Sequence, residues 1–309
     1  MWSLNGINGL ARRRTALVAL AAALVVVARP ALPEEPLRHG QGLLWQIEGT
    51  AAAPSYLFGT MHSADPEIAT PPAPVAERLH QARSLTVEVV MNMETVMSVA
   101  RAMVFTDGRT LDGVVGPELF EQVTEVGAGY GLQPRQLKLF KPWALMAMFS
   151  LPPAEIARAA QGGKALDEVL QIEAKARGTT IHALESVDEQ IAVLQSPPES
   201  DQIALLREVV VGYSEVEALF ARMRSAYLAR DLAALYWLTQ EQVAASDSQL
   251  MDSFVDNLID RRNRLMVERM APRLAEGNAF IAVGALHLPG DEGILHLLEQ
   301  QGYTVRPLY

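Results

Sequence analysis

Two segments near opposite ends of this chain carry one pattern: a short apolar run that ends in Gly-x-x-His. The first reads Tyr56-Leu57-Phe58-Gly59-Thr60-Met61-His62. The second reads Phe280-Ile281-Ala282-Val283-Gly284-Ala285-Leu286-His287. Runs of this length, rich in β-branched and aromatic residues and bounded by turn residues, are buried strands. Glycine lets the backbone turn sharply where such a strand ends and admits close approach. In α/β sheets, ligands bind beyond the carboxyl ends of strands, and a histidine three residues on can point back into that crevice. Either motif alone is equally a strand end with a hydrogen-bonded structural histidine. Their recurrence in the same context points to one shared site, built by a sheet that takes strands from both ends of the chain.

The rest of the sequence fits that plan. Residues 43–47 alternate in polarity, turn through 49–54 and return as the first Gly-x-x-His strand, which is a hairpin signal. A proline-rich loop and a short helix to about Arg83 follow. Residues 85–90 then read as a buried strand. Helical periodicity fills 93–176, cut by Pro117, Pro134, Pro142 and Pro152. Residues 180–184 form a short strand. Ser186 with Glu189 and Ser214 with Glu217 are capping boxes, and helices continue over 187–274. The last strand-helix-strand segment, 279–308, completes the sheet as a βαβ unit. The fold class expected is α/β (α+β): a central mixed sheet with strands from both chain ends, a large helical insertion (93–176 and 187–274), and one domain over 43–309.

Composition narrows the chemistry. The chain has 309 residues and no cysteine, which removes disulfide scaffolds and thiolate metal sites. A net charge of −10 excludes a general nucleic-acid binder, which needs a basic face. At the N-terminus, Arg12-Arg13-Arg14 precedes the uninterrupted apolar run 15–28, a basic region and apolar core of secretory type that is too short for a comfortable membrane span. Residues 1–28 are thus expected to be a signal peptide or an N-terminal anchor, and 29–42 a linker that opens with Arg29-Pro30. The body would be exported, to the periplasm, or held at the inner membrane by residues 15–28 alone. Taking away the three arginines of residues 1–28, a stretch without acid, leaves −13 on the remainder.

Other residues stand out by where they fall. Glu88 lies in the apolar run 85–90, so it is either paired, ligating or facing a cavity, or else on the exposed face of an edge strand. Glu185 ends the strand 180–184. Arg262 lies on an apolar stripe of helical spacing that includes Leu258, Leu265 and Met266, with Asn263 beside it. A buried arginine there must meet carboxylates, Asp167 or Glu88 among them, or an anionic ligand. Arg261 lies off the stripe and is expected in solvent. His39, His80, His182 and His296 read as structural or surface residues, and the twelve methionines as core filler.

Taken in order, Leu44-Trp45, the first Gly-x-x-His motif, Glu88, Lys141-Pro142-Trp143, Leu166-Asp167, Leu184-Glu185 with Glu189-Gln190, Arg262-Asn263, Val283 to Gly290 and Gly302-Tyr303 make the chain resemble the TraB/GumN (PrgY, Tiki-like) family. The resemblance covers about 43–308. It implies a fold similar to the erythromycin-esterase (EreA) and ChaN-like haem-uptake proteins, and, by analogy with animal members, a metal-dependent peptidase favouring Mn²⁺ or Co²⁺, with Zn²⁺ as another ion of the type. On that reading His62, His287 and Glu88 are the metal ligands. Glu88 or Glu185 is the general base, and Arg262 and Asn263 steady an oxyanion or a carboxylate. The substrate would be a peptide or small molecule. Two other readings use the same residues: a non-catalytic binding protein in which Arg262 clamps a ligand carboxylate, and a metal-free hydrolase with His62 or His287 as base.

Overall fold

The structure is a computed structural model and describes residues 36–246 and 248–309. The expected signal segment 1–28 and the first part of the linker lie outside the described residues. Six strands form one mixed sheet: β1 (Leu44–Glu48), β2 (Ser55–Thr60), β3 (Ser84–Val87), β4 (Thr180–Ala183), β5 (Ala279–Gly284) and β6 (Thr304–Pro307), in the order β4-β3-β5-β2-β1-β6. The α/β architecture with strands from both chain ends is therefore observed.

Burial explains the order. Every residue of β2 and β3, and all but the last of β5, is buried, so these apolar runs need cover on both faces and take the centre as parallel neighbours. The half-exposed β4 closes one edge, parallel to β3. The hairpin strand β1 runs antiparallel to both β2 and β6. The C-terminal helix Ile294–Gln300 thus connects β5 not to a neighbour but to β6, across β2 and β1.

Two sets of helices hold two apolar clusters. One surrounds the sheet and centres on Leu57, Phe58, Phe280 and Ile281. The other joins the two helical stretches of the sequence: Leu119, Val123 and Phe149 pack with Leu206, Val209 and Phe254. Among the described residues no helix is long and apolar enough to cross a membrane.

Three local expectations are corrected. The strand expected over 85–90 stops at Val87, so Glu88 stands just past its carboxyl end and not inside it. Ser214 caps no helix: it lies in the 3₁₀ turn Tyr213–Glu215, and the residue ahead of the helix Val216–Leu228 is already helical, whereas a capping side chain needs an extended residue there. Leu265 lies off the apolar stripe and is 43% exposed. The other capping box, Ser186 with Glu189, is formed in both directions.

Candidate functional site

Parallel strands deliver their carboxyl ends to one edge, and here four of them do so side by side. His62 follows β2, His287 follows β5, Glu88 follows β3, and Glu185 lies two residues beyond β4. The β3–β4 pairing runs on past the strands, because Leu184 N–H donates to Val87 O and Glu185 N–H to Glu88 O, both at 2.8 Å. Beyond this edge lies a cleft lined by His62, Glu88, Asp167, Arg262 and His287, with Met61, Met223, Leu235, Ile259 and Leu286 as apolar wall. Glu185 and Asn263 are buried behind that lining.

Of the two roles expected for the motif glycines, the structure shows close approach at Gly59 and not the left-handed turn. Neither has a positive φ, so neither is needed for a left-handed turn. A Cβ on Gly59 would lie 2.6 Å from Leu288 and 3.1 Å from the backbone of Ala285, so this glycine lets the two Gly-x-x-His turns pack directly together. The N–H of Gly284 donates to Glu88 Oε1 at 2.7 Å.

Arg262 organises the deepest part of the site. The long C-terminal-half helix is interrupted by a π-helical turn, Asp256–Asp260, immediately before the helix Arg261–Glu276. Such turns recur at functional sites because they displace backbone groups from the regular ladder. Arg262 Nη1 donates to Leu258 O in that turn at 3.0 Å and to His287 Nε2 at 3.4 Å. Its Nε donates to Glu185 (3.0 Å), and Nη2 donates to Glu88 Oε2 and Glu185 Oε2, both at 2.6 Å. A guanidinium has five N–H donors, and all five are spent inside the protein. Gln190 Nε2 completes the frame, donating to Glu88 (3.0 Å) and Glu185 (3.2 Å). Arg262 is 6% exposed. Arg261, as expected, is in solvent and pairs with Asp256. Burial alone would raise the Glu88 pKa, but Arg262, His287 and the Gly284 N–H outweigh it and hold the carboxyl down at about 2.

The two histidines have distinct surroundings. His287 is 4% exposed. Its Nδ1 lies 2.6 Å from Asn263 Oδ1, while Asn263 Nδ2 donates to Glu292 O at 2.8 Å. That second bond fixes the amide orientation, so His287 Nδ1 carries the hydrogen and Nε2 is an acceptor. Burial and the Arg262 charge, against a smaller effect of Glu88, push its pKa down to about 4. His62 is more open. Its Nδ1 lies 2.9 Å from Asp167 Oδ2, and Thr60 Oγ1 donates to the other Asp167 oxygen at 2.5 Å. Burial would lower the His62 pKa, but Asp167, with lesser help from Glu88 and Glu168, raises it above the ordinary value. The remaining histidines line no part of the cleft; His80 meets Glu173 and His182 meets Arg273.

The site therefore brings together all six residues singled out in the sequence: His62, Glu88, Glu185, Arg262, Asn263 and His287. Asp167 meets His62 and not Arg262, and it had no place among the expected site residues. Its position, second in the helix Leu166–Ala176, identifies it only once the helix N-terminus is seen to face β2. Gln190, which with Glu189 is also part of the motif order that carries the family resemblance, has no place among the expected site residues either.

A divalent ion does not fit these donors as they stand. Glu185 and the Oε2 of Glu88 are held by Arg262, and His287 Nε2 already accepts from the same guanidinium. Among the described residues, no group of three or more carboxylate and imidazole donors could hold an ion. The expected set of His62, His287 and Glu88 is thus gathered around one cleft but not around one point.

Comparison with known proteins agrees with the order of motifs. The TraB/PrgY/gumN family model matches residues 43–307. The chain belongs to this family. It is 27% identical over 186 residues to a protein of Nematostella vectensis named Metalloprotease TIKI homolog, covering 53% of this chain and 39% of that one. It is 23% identical over 249 residues to the Uncharacterized protein YbaP of Shigella flexneri, covering 79% of this chain and 87% of the relative. The match thus spans well under half of the Nematostella protein. No solved structure matches.

Proposed function

We propose that this TraB/PrgY/gumN family member is a hydrolase of amide bonds, acting on peptides outside the cytoplasm, with His62 as the group that moves the proton. One observation carries the reading: Asp167 Oδ2 lies 2.9 Å from His62 Nδ1 in an ion-pair contact, on a histidine that lines the cleft. A carboxylate that orients an imidazole and raises its pKa toward the working pH is the arrangement general acid–base catalysis needs. Thr60 fixes Asp167 in turn.

In the proposed step, His62 Nε2 takes a proton from a water molecule whose oxygen bonds to the scissile carbonyl carbon. The C–N bond then breaks, and the amine leaves with the proton returned by His62. The wall of Met61, Met223, Leu235, Ile259 and Leu286 accepts an apolar side chain next to the scissile bond and thins the water around the dyad. His287, neutral at pH 7, and Asn263 hold the floor of the site in place. The metalloprotease name of the Nematostella relative supports a peptide as substrate, and the leader-like residues 1–28 support export. The binding-protein reading loses its main support, because Arg262 has no donor left for a ligand carboxylate.

The test is mass-spectrometric detection of cleavage in a peptide mixture by the purified full chain in ¹⁸O-labelled water. New carboxyl groups carrying ¹⁸O are expected from the wild type and not from His62→Ala. No labelled product from any peptide would reject hydrolysis, and equal labelling by His62→Ala would reject the role of His62.

A further inference from the structure

We propose that Arg262 is the resident cation of this site: it occupies the place among Glu88, Glu185 and His287 that a divalent ion would take, and the native chain binds no metal there. The inference goes beyond hydrolysis and is read out without it.

Three observations support it. First, the guanidinium meets all three residues at once, with Nη2 donating to both carboxylates and Nη1 to His287 Nε2. Second, it cannot swing aside cheaply. Its fifth donor is anchored to Leu258 O in the π-helical turn, and its side chain is buried. Third, charge argues the same way. Two adjacent carboxylates, Glu185 buried and Glu88 half-buried, need a positive partner, and Arg262 supplies it permanently, since a guanidinium does not deprotonate in proteins. An ion added beside it would put two cations against each other in a site shielded from water. Removing the guanidinium would instead free Glu88, Glu185 and the His287 Nε2, which are not placed around an ion as they stand, to draw together about one, and their donor types suit Mn²⁺, Co²⁺ or Zn²⁺.

The experiment uses tag-free full chain. Wild type is incubated with Mn²⁺, Co²⁺ or Zn²⁺, passed through gel filtration and analysed for metal, and its thermal midpoint is measured with each ion and with EDTA. The expected result is sub-stoichiometric metal and no midpoint shift. One retained ion per chain, or a rise of several degrees from an ion that binds only the folded state, overturns the proposal. Arg262→Ala is expected to gain one Mn²⁺ per chain, seen as loss of the free-ion electron paramagnetic resonance signal, and Glu185→Gln added to it should abolish the gain. A folded Arg262→Ala that binds no ion overturns the claim that the guanidinium holds an ion's place. Should that variant fail to fold, Arg262→Gln replaces it, and the wild-type measurements decide in any case. Absence of peptide cleavage would reject the proposed hydrolase and leave these readings unaffected.

Discussion

The two Gly-x-x-His turns share a sequence, end adjacent parallel strands and border one cleft, yet their histidines are electrostatic opposites. His62 has a carboxylate on Nδ1 and is partly open, so its pKa rises. His287 has an amide on Nδ1, an arginine near Nε2 and almost no exposure, so its pKa falls to about 4. The motif fixes where an imidazole stands; the residues arriving from other elements decide what it can do. Asp167 comes from the helix Leu166–Ala176, and Arg262 and Asn263 from Arg261–Glu276. Pairs of groups pushed apart in this way mark acid–base roles.

The widest separation of the pair comes from substituting each histidine. His62→Ala should cut turnover by about 10²–10⁴-fold and leave the melting temperature close to that of wild type, because the side chain is partly solvated. His287→Ala should do the reverse to the fold: it strips an acceptor from Arg262 and a donor from Asn263. Steady-state rates and melting curves on both variants check this, and equal rate losses without any stability difference would erase the distinction.

Arg262 tests the His287 half alone. Arg262→Met leaves the buried Glu185 and the half-buried Glu88 without their cation, and breaking a buried charge pair typically costs about 3–5 kcal/mol. Urea denaturation measures it. A loss under about 1 kcal/mol, the range of surface pairs, would mean that the guanidinium does not carry the site's charge balance.

The pair also predicts opposite pH slopes. Between about 4 and the ordinary histidine value of 6.5, the unfolded chain binds a proton that folded His287 refuses, so stability falls as the pH drops through this window. The loss is up to about 3 kcal/mol, and Glu88 extends it from the ordinary carboxyl range down to about 2. His62 runs the other way: its raised pKa adds stability that is fully present below 6.5 and fades as the pH rises through the folded value. Urea midpoints across pH 4–8 should therefore flatten on the acid side in His287→Gln and on the alkaline side in Asp167→Asn. A variant that flattens the wrong side would reverse the assignment.

Much of this was legible in the sequence, for identifiable reasons. The Gly-x-x-His runs are apolar and short, so the central strands and their shared edge follow from burial. Arg262 could be placed on the buried face because helical spacing from Leu258 to Met266 survives the π-helical turn. The partner of each group was not legible. Nothing in the sequence says that Asp167 faces β2 and not Arg262, since that depends on how the helix Leu166–Ala176 packs on the sheet. The apolar neighbours Val87 and Val89 make Glu88 read as a strand residue, while the ladder with β5 ends one residue earlier. Close approach at the motif glycines is legible, but that Ala285 and Leu288 are what approach Gly59 is a tertiary fact.

Asn263 gives the smallest and most specific test of the comparison. It is 1% exposed, and its amide spans from Glu292 O to His287 Nδ1. Asn263→Ala leaves the His287 N–H and the Glu292 carbonyl without partners, at a cost of about 1–3 kcal/mol for a buried unsatisfied group. Asn263→Asp keeps the shape but sets a carboxylate on His287 Nδ1, which is what Asp167 gives His62. Its expected effect is to raise the His287 pKa toward that of His62, measured by the pH dependence of the imidazole NMR signals. If the pKa stays near 4 with a carboxylate in contact, then Arg262 and burial alone set the state of His287, and the difference between the two motifs lies in the arginine and not in the residue on Nδ1.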